Sequence, residues 1–252
     1  MDLELEGKSA LVVGASRGLG RGIAMTLAQE GVQVGAIART EGEIVSLIAD
    51  MGGETKGHWG MIKDLVPDNA PAQIAEEIKS QNRQVDILIH NLGGTLGIRD
   101  PFCTVDEWRS VWRLNLEIST ELNRYLLPAM QEKKWGRVVH ISSIAATLSR
   151  GAIAYCTVKA ALNAYTKNLG ATLAPDGVIV TAVMPGAIRY PGSHWDKQTQ
   201  EKPEMVATYL EQRIAIKRFA TVDEISDFVV FLCSPKASFF TGSVLPIDGG
   251  SL

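Results

Sequence analysis

The stretch Ser9-Ala10-Leu11-Val12-Val13-Gly14-Ala15-Ser16-Arg17-Gly18-Leu19-Gly20 decides how the chain is read. A short apolar run with β-branched residues ends in a glycine-rich turn, and helical periodicity begins directly after it. Glycines at such a turn let the backbone approach an anion closely, and the following helix N-terminus adds unpaired N–H groups and a favourable dipole. The glycines fall as G-x-x-x-G-x-G, which is neither G-x-G-x-x-G nor a P-loop, since no Gly-Lys-Ser/Thr follows. A tight turn that only closes helix onto sheet would use the same residues.

The alternation continues outward from this unit. Further strands are expected at Val32–Ile37, Val85–His90, Arg137–Ser142, Val178–Val183 and Val244–Ile247, with a weaker one near Gly57–Ile62. Helical periodicity fills the gaps, at Leu19–Gln29, Gly42–Met51, Asn69–Ser80, Val105–Lys133, Ala154–Leu173 and Asp223–Leu232. Strands alternating with helices predict βαβ units, and hence a doubly wound α/β domain of Rossmann type: a seven-stranded parallel sheet with helices on both faces. Periodicity weakens over about residues 187–217, where Pro191, Gly192, His194, Trp195 and Pro203 occur, so a substrate-loop insert with one or two helices is expected there. With no repeat, low-complexity tract or linker, residues 1–252 are read as one domain.

Composition narrows the function classes. Lys and Arg number 25 against 28 Asp and Glu, a formal net charge of −3, which argues against a nucleic-acid partner or an anionic membrane surface. At 46 % hydrophobic and 21 % charged residues, the chain has the apolar content of a folded globular protein. Cys103, Cys156 and Cys233 are widely spaced and form no C-x-x-C pair, and the four histidines show no ligand spacing, so neither a disulfide framework nor a metal site is expected. The acidic start Met1-Asp2-Leu3-Glu4 is unlike a signal peptide, and no apolar run is long enough for a membrane span, which points to the cytoplasm.

Two further features carry chemistry. Arg39 stands at the end of the second expected strand, where NAD sites usually carry an acid for the ribose 2′-hydroxyl. A guanidinium there pairs with a 2′-phosphate instead, which favours NADP(H), and Arg17 offers a second cation. The bland reading of Arg39 is a solvated arginine near Glu41 and Glu43. Tyr155 and Lys159 sit one turn apart on a predicted helix, so a phenol lies beside an ammonium; its anion is favoured, its pKa is expected to fall, and Tyr155 becomes a candidate acid/base.

Taken in order, Gly14-x-x-x-Gly18-x-Gly20, His90-Asn91-Leu92-Gly93, Asn115, Ile141-Ser142-Ser143, Tyr155-x-x-x-Lys159, Pro185-Gly186, Arg218-Phe219-Ala220-Thr221 and Thr241 to Gly250 resemble the short-chain dehydrogenase/reductase family over nearly the whole chain. The glycine loop and C-terminal third are most similar to those of 3-oxoacyl thioester reductases. The resemblance implies hydride transfer between NADP(H) and a carbonyl or alcohol carbon of a small molecule. It places Tyr155 as acid/base, Lys159 on the nicotinamide ribose, Asn115 in a proton relay and a serine on the substrate oxygen. The cofactor would meet Gly14, Ser16, Arg17, Gly18, Leu19, Gly20 and Arg39, then Asp64, Leu65, Asn91 and Gly93, and finally Pro185, Gly186 and Ile188. It also implies a homotetramer or homodimer built on the long helices.

Departures from the family pattern are Val13 for a threonine, Leu92 for an alanine, and Tyr190 for a threonine after the Pro-Gly turn. The usual Ser-to-Tyr spacing selects Ser142, whereas the local Ile-Ser-Ser pattern selects Ser143; adjacent strand residues face opposite ways, so only one can act, and Ser143 is preferred. Arg99, Arg150 and Arg189 raise the expectation of an anionic substrate group. Trp108 and Trp112 are expected to pack on a neighbouring helix or subunit. Other readings remain open, namely an NAD-linked alcohol or sugar dehydrogenase, or a non-catalytic dinucleotide sensor on the same scaffold.

Overall fold

The computed structural model describes residues 1–148 and 151–252. Among these, seven strands form one parallel sheet in the order β3-β2-β1-β4-β5-β6-β7: β1 Ser9–Val13, β2 Gln33–Ala38, β3 Trp59–Ile62, β4 Ile87–His90, β5 Gly136–Ile141, β6 Val178–Pro185 and β7 Val244–Ile247. Every pairing is parallel. Such a sheet must be covered on both sides, which is why β5 and β6 are buried along their whole length.

Alternation along β1 sorts its side chains between two cores. Ala10 and Val12 pack with Ile23 and Leu27 of α1 (Gly18–Gln29) and with residues that include Ile225 and Val229 of α9 (Val222–Leu232). Leu11 and Val13 face the other way, toward Ile74 and Ile78 of α3 (Ala70–Ser80) and Leu122 and Met130 of α5 (Ile118–Glu132). Helix α2 (Glu41–Asp50) adds Ile44 and Leu47 to the first core. Deleting a side chain such as Leu122, fully buried, would cost about 2–5 kcal/mol.

The expected helix over Val105–Lys133 is not continuous. It consists of α4 (Val105–Trp112), a π turn over Arg113–Glu117, and α5. Thr104 and Glu107 form a capping box that starts α4, but the change in hydrogen-bond register at the π turn has no periodic signature in sequence. Trp108 and Trp112 pack partly buried beside Val158 and Leu162 of α6 (Ile153–Leu173), so the neighbouring helix, not solvent, takes them. The segment after β6 contains α7 (His194–Glu201) and α8 (Pro203–Arg213), two helices where one or two were expected.

A buried polar chain crosses the core between β4, β5, α5 and α6. His90 Nε2 lies 2.8 Å from Asn123 Oδ1, so it must donate; Asn123 Nδ2 donates to His140 Nε2 at 3.2 Å and to the Tyr165 hydroxyl at 3.1 Å. His140 Nδ1 then donates to Thr166 Oγ1 at 2.9 Å. His90 Nδ1 is buried and has no hydrogen-bond partner among the described residues. Both imidazoles are held neutral by burial, His90 down to about 4 and His140 well below its usual value. No helix among the described residues is long and apolar enough to cross a membrane.

Candidate active site

The strand order reverses between β1 and β4, and parallel sheets open a crevice at the carboxyl ends of such strands. The glycine turn lies there. Gly14 adopts φ +83°, and the N–H groups of Gly14 and Ala15 both donate to Ile37 O, folding the chain sharply off β1. Asn91 Nδ2 donates to Gly14 O at 2.9 Å and Asn91 N to Val13 O, so the loop is tied to β4 without the threonine hydroxyl that Val13 replaces. Arg17 precedes α1 in extended conformation and makes no side-chain cap, and no acid stands in the first turn. The helix N-terminus is therefore electrostatically open.

A cavity of about 580 Å³ runs across this crevice. Of the cofactor residues expected from sequence, Gly14, Ser16, Arg17, Leu19, Arg39, Asp64, Leu65, Asn91 and Gly93 line it. Gly18 does not line it but lies beneath Tyr190 beside a neighbouring groove, whereas Gly20 is buried against Gly14 O and tightens the turn. Pro185, Gly186 and Ile188 do not line this cavity. Gly186 borders a separate one of about 330 Å³, and Ile188 bridges to Ala220. Leu92 is part of the cavity wall, as its greater bulk implies.

Three cations converge on this wall. Arg39 and Lys63 follow β2 and β3, and the register Ala38↔Ile62 sets them side by side; Arg17 lines the same cavity. None of the three makes an ion pair among the described residues, and Arg39 does not take Glu41 or Glu43 as a partner. Lys63 escaped the sequence reading because β3 is short and half exposed; the parallel register with β2 is the signal that finds it.

The second half of the crevice holds the polar side chains. Lys159 is only 2 % exposed, its Nζ donates to Ile141 O at 2.8 Å, and it sits 5.7 Å from the Tyr155 ring centroid. Burial pushes this ammonium down to about 7. The Tyr155 phenol, by contrast, is raised, not lowered as the Tyr-x-x-x-Lys spacing suggested: burial dominates, a hydrogen bond with Ser143 opposes it, and Cys156 adds to the rise. The expectation failed because spacing reports the neighbour but not the loss of water, which here is the larger effect.

The two serines separate cleanly. Ser142 Oγ turns into the protein, 3.4 Å from Lys159 O, while Ser143 begins a 3-10 turn, accepts from Ala145 N at 3.1 Å and reaches Tyr155. Asn115, 1 % exposed, sits in the π turn. Its Nδ2 donates to Val111 O at 2.8 Å and Gly94 O at 2.9 Å, and its Oδ1 accepts from Gly94 N at 3.0 Å. A side chain at Gly93 would fall 2.8 Å from Asn115 Oδ1 and 2.9 Å from Lys159 Nζ, so glycine there lets these groups and the loop meet. Of the arginines expected to meet a substrate anion, Arg189 is held by Asp196 at 3.2 Å, Arg99 makes no ion pair among the described residues, and Arg150 lies outside them.

Comparisons with known proteins place this geometry. The family described as Enoyl-(Acyl carrier protein) reductase matches residues 14–251. The 3-oxoacyl-[acyl-carrier-protein] reductase FabG of Aquifex aeolicus is 35 % identical over 254 residues, covering 99 % of each chain. L-sorbose reductase of Gluconobacter frateurii, solved with NADPH and L-sorbose, superposes with a TM-score of 0.90 at 28 % identity, covering 100 % of this chain and 99 % of that one. A 7α-hydroxysteroid dehydrogenase solved with NADH and 7-oxo glycochenodeoxycholic acid gives 0.89 at 26 % identity, covering 100 % and 96 %. With the glycine turn at the sheet's switch point and tyrosine, lysine, serine and asparagine gathered beside it, the chain belongs to the short-chain dehydrogenase/reductase family and is an oxidoreductase.

Proposed function

We propose that this oxidoreductase prefers NADP(H) and reduces the carbonyl of a small ketone or 3-oxoacyl-type substrate. The observation that carries the cofactor preference is the trio Arg17, Arg39 and Lys63, unpaired cations on one cavity wall where β2 and β3 end. Charges kept without a protein partner beside an open helix N-terminus fit an anionic dinucleotide, and a guanidinium at Arg39 suits a 2′-phosphate. Arg17 and the first turn of α1 would hold the diphosphate, Arg39 and Lys63 the 2′-phosphate, and Asp64 and Leu65 the adenine edge. Pro185, Gly186 and Ile188 would border the nicotinamide. When bound, NADPH supplies the hydride.

The residues of this chain do the rest. Ser143 and the Tyr155 phenol donate hydrogen bonds to the carbonyl oxygen, and Tyr155 passes its proton to that oxygen as negative charge develops there. A phenol raised by burial is protonated at neutral pH, which suits the reductive direction. Lys159 and Asn115, behind Tyr155, restore its proton from solvent. A homodimer or homotetramer built on α5 and α6 would cover Tyr125, 44 % exposed on α5.

The test is Tyr155→Phe, assayed with NADPH across a panel of ketones and 3-oxoacyl thioesters. Removal of the proton donor lowers kcat about 100-fold or more while NADPH still binds within about twofold. A wild-type protein that binds NADPH but reduces none of these carbonyls would favour the sensor reading instead.

A further inference from the structure

We propose that Arg113 is a positioning residue for the adenine end of the cofactor site, its guanidinium hanging the main chain of Val66 and Pro67 on the π turn; this rests on the dinucleotide reading above. The loop at residues 64–68 has little support from the sheet. It leaves β3, an edge strand beside β2, and the ladder ends where Lys63 N donates to Ala38 O at 2.9 Å. Asp64 Oδ1 accepts from Val66 N at 3.2 Å within the loop, and Pro67 O accepts from Ala70 N, at the start of α3, at 3.0 Å. Among the described residues, the other hydrogen bonds that reach this loop come from Arg113. Its Nε donates to Val66 O at 3.0 Å and its Nη2 to Pro67 O at 3.2 Å. Arg113 itself is 8 % exposed and opens the π turn between α4 and α5.

The way the guanidinium is turned shows what it holds. Three carboxylates lie near it, Glu121 Oε1 at 2.6 Å, Glu117 Oε2 at 3.7 Å and Asp68 Oδ1 at 3.8 Å. A guanidinium placed for its ion pair alone would meet one carboxylate with two parallel N–H groups. Here Glu121 receives Nη1 only, and its buried Oε2 has no hydrogen-bond partner among the described residues. The forked Nε and Nη2 edge is given to the two main-chain carbonyls instead, while the carboxylates compensate the buried charge. From the same stretch of chain, Leu114 and Ile118 line the dinucleotide cavity with Asp64, Leu65 and Val66, and Asn115 holds both main-chain groups of Gly94. The wall on which adenine would lie is thus fixed to the turn that carries Asn115, by a residue that does not itself line the cavity.

The experiment is titration of the wild type, Arg113→Lys and Arg113→Met with NADPH, NADH and adenosine 2′,5′-bisphosphate, which carries the adenine half alone, with the Tm of each protein. Lysine keeps a positive charge for the three carboxylates but cannot hold two carbonyls with a rigid fork. Arg113→Lys therefore weakens all three ligands by the same factor, about tenfold, because the loop must then be ordered as adenine binds. Methionine, without the charge, gives at least that loss; if Arg113→Met does not fold, the lysine variant decides alone. Binding by Arg113→Lys within twofold of wild type, even with a lower Tm, overturns the proposal, since the ion pairs would then be the whole role. Weaker NADPH with unchanged NADH also overturns it, because that pattern puts Arg113 on the 2′-phosphate. A wild type that binds none of the three overturns the dinucleotide reading and this one together, whereas wild-type binding with an unaffected lysine variant overturns this one alone.

Discussion

The two ends of the sheet treat charge in opposite ways. At the amino end, Asp86 accepts Ser9 N at 3.0 Å and Ser9 Oγ at 2.9 Å and pairs with Lys133 at 3.1 Å. Burial alone would raise that carboxyl, but the Ser9 hydrogen bonds and Lys133 bring it below its usual value. Lys8 and Arg137 both stack on Trp135, 4.3 and 4.6 Å from its ring, and Arg137 is closed off by backbone carbonyls. At the carboxyl end, among the described residues, Arg17, Arg39 and Lys63 stand without a carboxylate, and Lys159 is buried with its ammonium on the Ile141 carbonyl. One end satisfies its charges to hold the fold together. The other leaves the cations around the glycine turn unmet, and unmet charge in a crevice marks a place for a ligand.

The largest effect expected from this contrast concerns the interior between the two ends. His90 is neutral in the fold and its pKa falls from 6.5 to about 4, so the unfolded chain binds more protons between those values. Stability from this group is complete above pH 6.5 and is lost as pH falls toward about 4, a loss of about 3 kcal/mol, to which His140 adds in the same direction. Urea unfolding at pH 7 and pH 4.5 measures it; equal midpoints would mean that the polar chain is wet. Next in size, Lys159→Met should remove a buried uncompensated cation and stabilise the fold by about 1–4 kcal/mol while abolishing reduction, a trade visible as a higher Tm and no turnover. A lower Tm would show that Lys159 is satisfied in a way the crevice does not suggest. Smallest, Lys133→Ala at the amino end should cost less than about 1 kcal/mol, shrink further in high salt, and leave NADPH affinity unchanged.

Much of this organisation was legible in the chain because buried parallel strands are continuous apolar runs, as Leu11 to Val13 and Val178 to Val183 show. Boundaries moved by a residue or two, as at β2, where Val32 lies outside and Ala38 inside. The π turn was hidden because five residues carry no period of their own, although Asn115 inside it was picked out by resemblance. The sequence leaves open which way Ser142 and Ser143 point, because side-chain direction follows the local turn: Ser142 Oγ lies near Lys159 O, whereas Ser143 Oγ accepts from Ala145 N. Lys63 and the Tyr190–Gly18 contact join residues far apart in sequence, and the direction of the Tyr155 shift depends on lost hydration; no local pattern records either.

On the proposed function, unpaired cations at the carboxyl end select the cofactor. Parallel fluorescence titrations of the wild type and Arg39→Ala with NADPH and NADH test it directly. The wild type should bind NADPH more tightly than NADH, and Arg39→Ala should weaken NADPH by about tenfold or more while leaving NADH and the Tm unchanged. Equal affinity of the wild type for the two cofactors, or an Arg39→Ala variant that loses both alike, would contradict it.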